Sequence, residues 1–131
     1  MDNFIYYAYY WPKEKLRYLW VHRIKKIPTR LRIGFWPDEC WNLDVTFAKY
    51  VLPRLKHFRA MNNGFPAPLT EEEWNSHLDA MIASFEWIGG KKYYDLPIKD
   101  GEIDVEAYTK LRLDTQHGLE LFAEYYMGLW D

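Results

Sequence analysis

Apolar side chains recur at intervals of three and four residues in four segments of the chain, and no other feature restricts the fold as strongly. In the second segment the apolar stripe follows a Pro37-Asp38 start, with Asp38 as the candidate helix cap, and continues to Phe58. In the third it follows Thr70, which with Glu73 has the pattern of a capping box. A stripe at this spacing covers one face of an α-helix, and that face must be buried against another element. The sequence therefore predicts a mainly α fold.

The first predicted helix runs from about Pro12 to Lys26, and the fourth begins at a cap, Asp104, and reaches Trp130. Gly118 falls inside the fourth helix, where glycine costs about 1 kcal/mol relative to alanine, so its position predicts close packing. The four stripes are Leu16, Leu19, Trp20, Ile24 and Ile27; Trp41, Val45, Ala48, Val51, Leu52, Leu55 and Phe58; Trp74, Leu78, Met81, Ile82, Phe85 and Ile88; and Val105, Tyr108, Leu111, Leu119, Phe122, Tyr126 and Trp130. We expect one domain, residues 1–131, built as a small bundle of about four helices.

Proline and glycine residues mark the ends of the predicted helices. Pro28 and then Gly34 close the first region, and Gly89-Gly90 stops the third helix. Pro53 lies within the second helix and is expected to kink it or to begin a new one. Residues 91–103 are predicted to be irregular, with a short hairpin or extended piece around Tyr93, Tyr94 and Ile98.

Composition limits the class of protein. Apolar residues make up 49% of the chain and aromatic residues 19%, which is enough for a real core and argues against disorder. The single cysteine, Cys40, excludes an internal disulfide and a zinc site built on cysteine pairs. The amino end lacks the pattern of a signal peptide, and no stretch approaches the roughly 18 apolar residues of a membrane span. The sequence thus predicts a cytoplasmic protein with no membrane span.

Charge is distributed unevenly along the chain. Residues 1–33 hold eight basic and two acidic residues, a net charge of +6, and the remaining 98 residues hold nine basic and 17 acidic residues, a net charge of −8. Cations that alternate with rings suit a partner that carries phosphate or carboxylate groups. The candidate ligand-binding residues are Arg17, Trp20, Arg23, Lys26, Arg30, Arg32 and Trp36. A second interpretation stays open, in which this basic aromatic segment is solvated or docks on the acidic part of the chain.

Asp44 and Arg112 are the polar residues predicted to face the core. Asp44 projects into the apolar arc of the second helix, and Arg112 lies on the inward side of the fourth. A buried carboxylate must be paired, hydrogen-bonded or protonated. We therefore expect Asp44 and Arg112 to form a structural polar pair in the core.

Patterns typical of enzymes are absent from the sequence. The four histidines are scattered, without His-x-x-x-His or paired Glu-x-x-His spacing, so no metal site is predicted. Cys40, at the start of the second predicted helix, is expected to be a small buried residue. The chain contains neither a glycine-rich phosphate loop nor a Gly-x-Ser-x-Gly elbow. We predict no catalytic residues and no cofactor.

Two elements, Gly34-Phe-Trp-Pro-Asp38 with the following Trp41-Asn-Leu-Asp44, and the later Thr70-Glu-Glu-Glu-Trp74, resemble a family of small uncharacterised bacteriophage proteins. The likeness covers roughly residues 33–88 and the last dozen residues. It implies a setting in the cytoplasm of a bacterial host, as an accessory factor for host takeover or counter-defence or as a minor structural component. It carries over no catalytic residue.

Three functional hypotheses follow. The leading one is a non-catalytic phage accessory protein that binds an anionic partner, either a nucleotide-type ligand or a host protein, with nucleic acid less favoured. The alternative is a self-assembling homo-oligomer or virion-associated structural protein whose basic and acidic parts meet between subunits. The third is a small hydrolase that uses Asp44, Glu73 and a histidine from another helix.

Overall fold

The computed structural model describes residues 13–21, 23–61 and 64–130. The first twelve residues, which carry most of the aromatic part of the predicted amino-terminal segment, and His22 lie outside the described residues. The chain divides into two compact units, residues 1–41 and 42–131, and each is described by itself. That the two units make up the single domain expected from the sequence stays a prediction.

The described residues of the first unit form two short helices and two 3-10 turns. Helix α1 covers residues 13–21, a 3-10 turn covers Ile24–Lys26, and helix α2 covers Ile27–Ile33. Helix α2 is not predicted from the sequence, because Pro28 resembles the end of a helix. In the structure Pro28 lies in the first turn of α2, where its missing N–H loses no helical hydrogen bond. Gly34 then ends α2 with a φ of 86°, a left-handed conformation that suits glycine.

The second unit is a bundle of helices α3 (Leu43–Met61), α4 (Glu71–Glu86), the short α5 (Lys92–Tyr94) and α6 (Val105–Glu124). Helix α4 packs against both α3 and α6. The buried core side chains are Ala48, Leu55, Trp74, Leu78, Met81, Phe85 and Leu121. All but Leu121 belong to the predicted stripes, and the prediction of a mainly α chain with a small helical bundle is confirmed. Among the described helices, none is long and apolar enough to cross a membrane.

Helix α3 begins later than the sequence predicts. Pro37–Cys40 form a 3-10 turn, and the α-helix starts only at Leu43, so Asp38 does not cap it. Trp41 consequently precedes the helix and is 86% exposed, which makes its assignment to the apolar stripe wrong. Helix α3 continues through Pro53 as one element, with the loss of the hydrogen bond that a backbone N–H would donate there.

The segment between α4 and α6 combines a helical break with a hairpin. Helix α4 ends at Glu86, and a π-helical turn, Trp87–Lys91, joins it to α5, so the α-helix stops before the glycine pair rather than at it. Strand β1 (Ile98–Lys99) pairs antiparallel with β2 (Glu102–Ile103). Between them Asp100 and Gly101 have φ values of 53° and 84°, as a tight hairpin turn requires. The predicted hairpin around Ile98 is therefore confirmed, whereas Tyr94 is helical.

Gly118 lies where α6 approaches α4 most closely. A Cβ atom at this position would lie 2.0 Å from Ser84 Oγ and 2.5 Å from the backbone oxygen of Ala80. The Ser84 hydroxyl donates a hydrogen bond of 3.0 Å to the backbone oxygen of Thr115 across the same contact. The close packing predicted for Gly118 is confirmed. Helices α4 and α6 approach closely enough for the Ser84 side chain on α4 to donate a hydrogen bond to the backbone of α6.

Two predicted caps form as expected. The Glu73 N–H donates to Thr70 Oγ1 at 3.2 Å, and the Thr70 N–H donates to Glu73 Oε2 at 2.8 Å, which completes the capping box of α4. The hydrogen bond from the Thr70 backbone, followed by that from the Thr70 side chain, holds the pKa of Glu73 below its ordinary value. Asp104 caps α6 by accepting a 3.0 Å hydrogen bond from the Ala107 N–H.

The capping box makes a stability prediction. We expect Thr70→Ala to lower the free energy of unfolding by about 1 kcal/mol near neutral pH, because an N–H of α4 loses its acceptor. The pKa of Glu73 is lower in the folded than in the unfolded chain, so its contribution is present above the unfolded pKa and is lost as the pH falls through the folded pKa. Thr70→Ala keeps the backbone hydrogen bond to the Glu73 carboxylate and loses the one from the Thr70 side chain. Urea denaturation near neutral and at acid pH should therefore show a somewhat smaller effect of Thr70→Ala in acid, where this side-chain contribution is lost.

A matched control is Thr109→Ala, since the Thr109 hydroxyl donates only to the Val105 backbone oxygen of its own helix. Its effect on stability should be smaller and should not depend on acid titration of Glu73. Equal stabilities of wild type and Thr70→Ala at neutral pH would show that the capping box contributes nothing.

Candidate functional site

Three of the predicted site residues come together in the first unit. The guanidinium carbons of Arg23 and Arg30 each lie 5.0 Å from the centre of the Trp36 ring. Arg23 directly precedes the 3-10 turn at Ile24, Arg30 lies in α2, and Trp36 follows the left-handed Gly34. This turn at the end of α2 lets Trp36 reach cations that precede it in the chain. We call Arg23, Arg30 and Trp36 the Trp36 cluster.

The charges of the two arginines in the Trp36 cluster are not neutralised by any described carboxylate of this unit. Neither guanidinium has a carboxylate partner among the described residues of the first unit, whereas the neighbouring Lys26 Nζ lies 2.6 Å from Asp38 Oδ1. A guanidinium that lies over a ring keeps its five N–H donors at its edge, in a geometry that matches phosphate and carboxylate oxygens. The two guanidiniums of the cluster are therefore available to bind an anion, whereas the Lys26 ammonium group is already paired with Asp38.

The structure assigns the remaining predicted residues to other surroundings. Arg17 and Trp20 on α1 and Arg32 on α2 are exposed, and none makes a ring, cation–ring or ion-pair contact with the cluster among the described residues. Lys26 is held by Asp38, a partner that sequence reasoning missed because it assigned Asp38 to a helix cap. The alternation of cations and rings in the sequence indicates this segment but does not distinguish the three residues of the cluster from the other candidates.

The cluster changes the expected role of Trp36. Trp36 is one of the ligand-binding residues predicted from the sequence, and a free tryptophan ring could stack on a ligand. Two guanidiniums instead lie over the Trp36 ring, so this ring holds cations in place rather than offering a surface to a base. The arrangement places two guanidiniums at one ring, and each of them can pair with an oxyanion.

The prediction of a buried pair between Asp44 and Arg112 is wrong. Asp44 lies in the first turn of α3 and is exposed, and its Oδ2 accepts a 2.8 Å hydrogen bond from Lys92 Nζ. This hydrogen bond is the main reason that the pKa of Asp44 lies below its ordinary value. Arg112 is exposed on α6, whereas Thr115, about one turn further along the helix, is buried. Helical spacing shows which face a residue occupies, but burial also requires a neighbouring helix at that height.

The carboxylates of the hydrolase hypothesis lie far apart. Two ion pairs between α3 and α4 join Arg59 to Asp79 and Lys56 to Glu86. Their order along the two helices shows that α3 and α4 are antiparallel. Asp44 and Glu73 begin these helices and so lie at opposite ends of the pair, and the Glu73 carboxylate belongs to the capping box.

The cysteine and the described histidines do not form a cluster. Cys40 is exposed at the end of a 3-10 turn, so the expectation of a buried residue is wrong. The His77 ring stacks on the Tyr125 ring at a centroid distance of 5.2 Å. In the part of the chain that the structure describes, no three His, Cys, Asp or Glu side chains are grouped so that they could hold a metal ion.

Comparisons with known proteins leave the geometry as the basis for assigning function. The chain matches no family model, and it has no significant similarity to curated proteins or to solved structures.

Proposed function

We propose that the chain is a non-catalytic accessory protein that binds an anionic, phosphate-bearing ligand of the nucleotide type through the Trp36 cluster. The observation that carries this proposal is the pair of guanidiniums, Arg23 and Arg30, each 5.0 Å from one ring and without a carboxylate partner among the described residues of its unit. The bacteriophage setting, with a role in host takeover or counter-defence, is part of the proposal and rests on the resemblance of Trp41-Asn-Leu-Asp44 and the later Thr70-Glu-Glu-Glu-Trp74.

The geometry favours phosphate over a single carboxylate as the group that is bound. A terminal phosphate carries close to two negative charges and three acceptor oxygens, which can satisfy two guanidiniums at once. Because two guanidiniums already cover Trp36, a base would have to contact another ring, and Trp20 in the same unit is 57% exposed. Charge should therefore supply most of the affinity and the base rather little.

This proposal is tested by calorimetric titration of the full chain with three probes that differ in one part each. Inorganic triphosphate and a nucleoside triphosphate should bind with similar affinity, and the unphosphorylated nucleoside should not bind. Affinity should fall as salt is raised, because dissolved ions screen the attraction between exposed charges, with a screening length of about 8 Å at physiological ionic strength. Absence of phosphate binding, or binding that is indifferent to salt, would contradict the proposal. Preferential binding of poly-glutamate would instead identify an acidic protein surface as the partner.

Substitutions in the cluster give the corresponding prediction. We expect Arg23→Gln and Arg30→Gln each to weaken triphosphate binding by about tenfold, since each removes one charge-assisted contact. Arg32→Gln is the matched control, because Arg32 is an exposed arginine of α2 that lies outside the cluster. Circular dichroism checks that the variants fold alike. An equal loss in all three variants would show that general charge, not the cluster, binds the anion.

The alternative function, self-assembly as a homo-oligomer or virion-associated component, is favoured by large apolar side chains at the surface. Leu31 is 77% exposed in the first unit, and Met127 is 83% exposed in the second. Light scattering at low and high salt distinguishes the two functions. An oligomer that dissociates at high salt supports assembly through opposite charges, and one that persists at high salt supports assembly through these apolar side chains. A monomer at all salt concentrations counts against both.

A further inference from the structure

We propose that the second unit carries a groove for an amphipathic helix of a partner protein, and that Arg54 binds an acidic side chain of that helix. This site is separate from the Trp36 cluster and uses none of its residues.

The groove lies along α3. Helices α3 and α6 each pack mainly against α4. The space beside α3 is flanked by Leu129 and Trp130. It contains two adjoining cavities of about 500 and 250 Å³, which share Arg54, Phe58 and Leu129 as lining residues. Val51 lines one end and Met61 the other, a separation of about 15 Å along a helix that rises 1.5 Å per residue. The lining is predominantly apolar.

Arg54 places a guanidinium where the two cavities of this mostly apolar groove adjoin. Its Nη1 donates a 2.7 Å hydrogen bond to the Tyr50 backbone oxygen, and its guanidinium carbon lies 3.7 Å from the centre of the Tyr50 ring. Its position is thus set by its own helix. Among the residues that the structure describes, no carboxylate lines either cavity and Arg54 has no ion-pair partner. With one of five donors used, the guanidinium can still bind a carboxylate in two-pronged geometry.

The chemistry of the lining favours a helix over an extended peptide. An extended chain would place backbone N–H and C=O groups against apolar side chains that cannot pair with them, whereas a helix satisfies its backbone internally. The exposed rim also argues against a small acidic amphiphile, because Trp130 is 74% exposed and a short ligand on the floor would leave it uncovered. The occupant that fits is a helix of about three turns with an apolar stripe and one acidic residue beside that stripe.

The test uses the full chain and a panel of stapled helical peptides of about 15 residues. Each carries Leu or Phe at positions i, i+3 or i+4, and i+7, and each is made in two versions, with Glu or Gln at one position beside the stripe. Fluorescence anisotropy measures their binding. We expect the Glu version of the best-binding pair to bind about tenfold more tightly than the Gln version.

Three variants of the chain identify the groove as the site. In Arg54→Gln the preference for Glu should disappear, and in the matched control Arg112→Gln, an exposed arginine on α6 that does not line the groove, it should remain. Trp130→Ala should weaken both peptide versions alike without unfolding the chain, because its ring is largely exposed.

Four results would overturn the proposal. One is that no peptide of the panel binds, and another is that the Glu preference persists in Arg54→Gln. The third is that decanoate binds in an Arg54-dependent manner while the peptides do not, which would assign the groove to a small amphiphile. The fourth is that the chain dimerises and Trp130→Ala abolishes the dimer, which would make a second copy the occupant.

Discussion

Phe85→Ala is expected to lower the free energy of unfolding by about 3–5 kcal/mol, the range for removal of a buried phenylalanine ring. Phe85 is 2% exposed on α4, and its ring meets the edge of Phe122 at a centroid distance of 5.0 Å and that of Phe47 at 6.2 Å. It thus links α4 to α6 on one side and to α3 on the other. Truncation would remove apolar burial and two ring contacts, and it would leave a cavity in the core.

Urea denaturation followed by circular dichroism measures this effect. Phe65→Ala is the matched control, since Phe65 is half exposed and lies outside the helices. Its substitution should change stability by less than about 1 kcal/mol, as is usual away from a core. A similarly small effect for Phe85→Ala would mean that the three helices do not share the core described above.

Gly118→Ala should destabilise the chain by about 1–3 kcal/mol, the usual effect of overpacking. Helix propensity alone predicts the opposite sign, a gain of about 1 kcal/mol for alanine over glycine. The unfavourable packing is expected to outweigh the gain in helix propensity, because the added Cβ would lie 2.5 Å from the Ala80 backbone oxygen and α4 and α6 would have to separate. The Ser84 hydroxyl can rotate away, but a backbone oxygen can move only with its helix.

Thermal unfolding of two further variants isolates this cause. His117→Ala, an exposed change on the adjacent residue of α6, should leave the Tm nearly unchanged. Gly118→Ala combined with Ser84→Ala should recover only part of the loss, because the clash with the Ala80 oxygen persists. A higher Tm for Gly118→Ala than for wild type would refute the close approach of the two helices.

Features that depend on a few neighbouring residues could be predicted from the sequence. The capping box at Thr70 and Glu73 and the cap at Asp104 require only hydrogen bonds within one helical turn, so their local patterns identify them. The spacing of Trp74, Leu78, Met81 and Phe85 likewise indicates a buried face. Gly118 within a predicted helix indicates close packing against another element, but the sequence does not show that this element is α4.

Features that depend on distant residues could not be predicted. Asp44 finds Lys92, 48 residues further along, because the turn after α4 returns the chain to the start of α3. No local pattern contains that return. Trp36 meets Arg30 because Gly34 adopts a left-handed conformation, which sequence permits but does not require. The sequence thus indicated a basic, ring-rich segment, and only the fold selected the two arginines that share a ring.

The most direct test of the proposed anion site is a titration of the isotope-labelled full chain with inorganic triphosphate, followed by NMR of the arginine Nε–H and tryptophan indole N–H signals. The proposal predicts saturable shifts of the Arg23, Arg30 and Trp36 signals at one common affinity, with the Arg32 signal unchanged. Shifts that are uniform across the arginines, or no shift at Trp36, would contradict it.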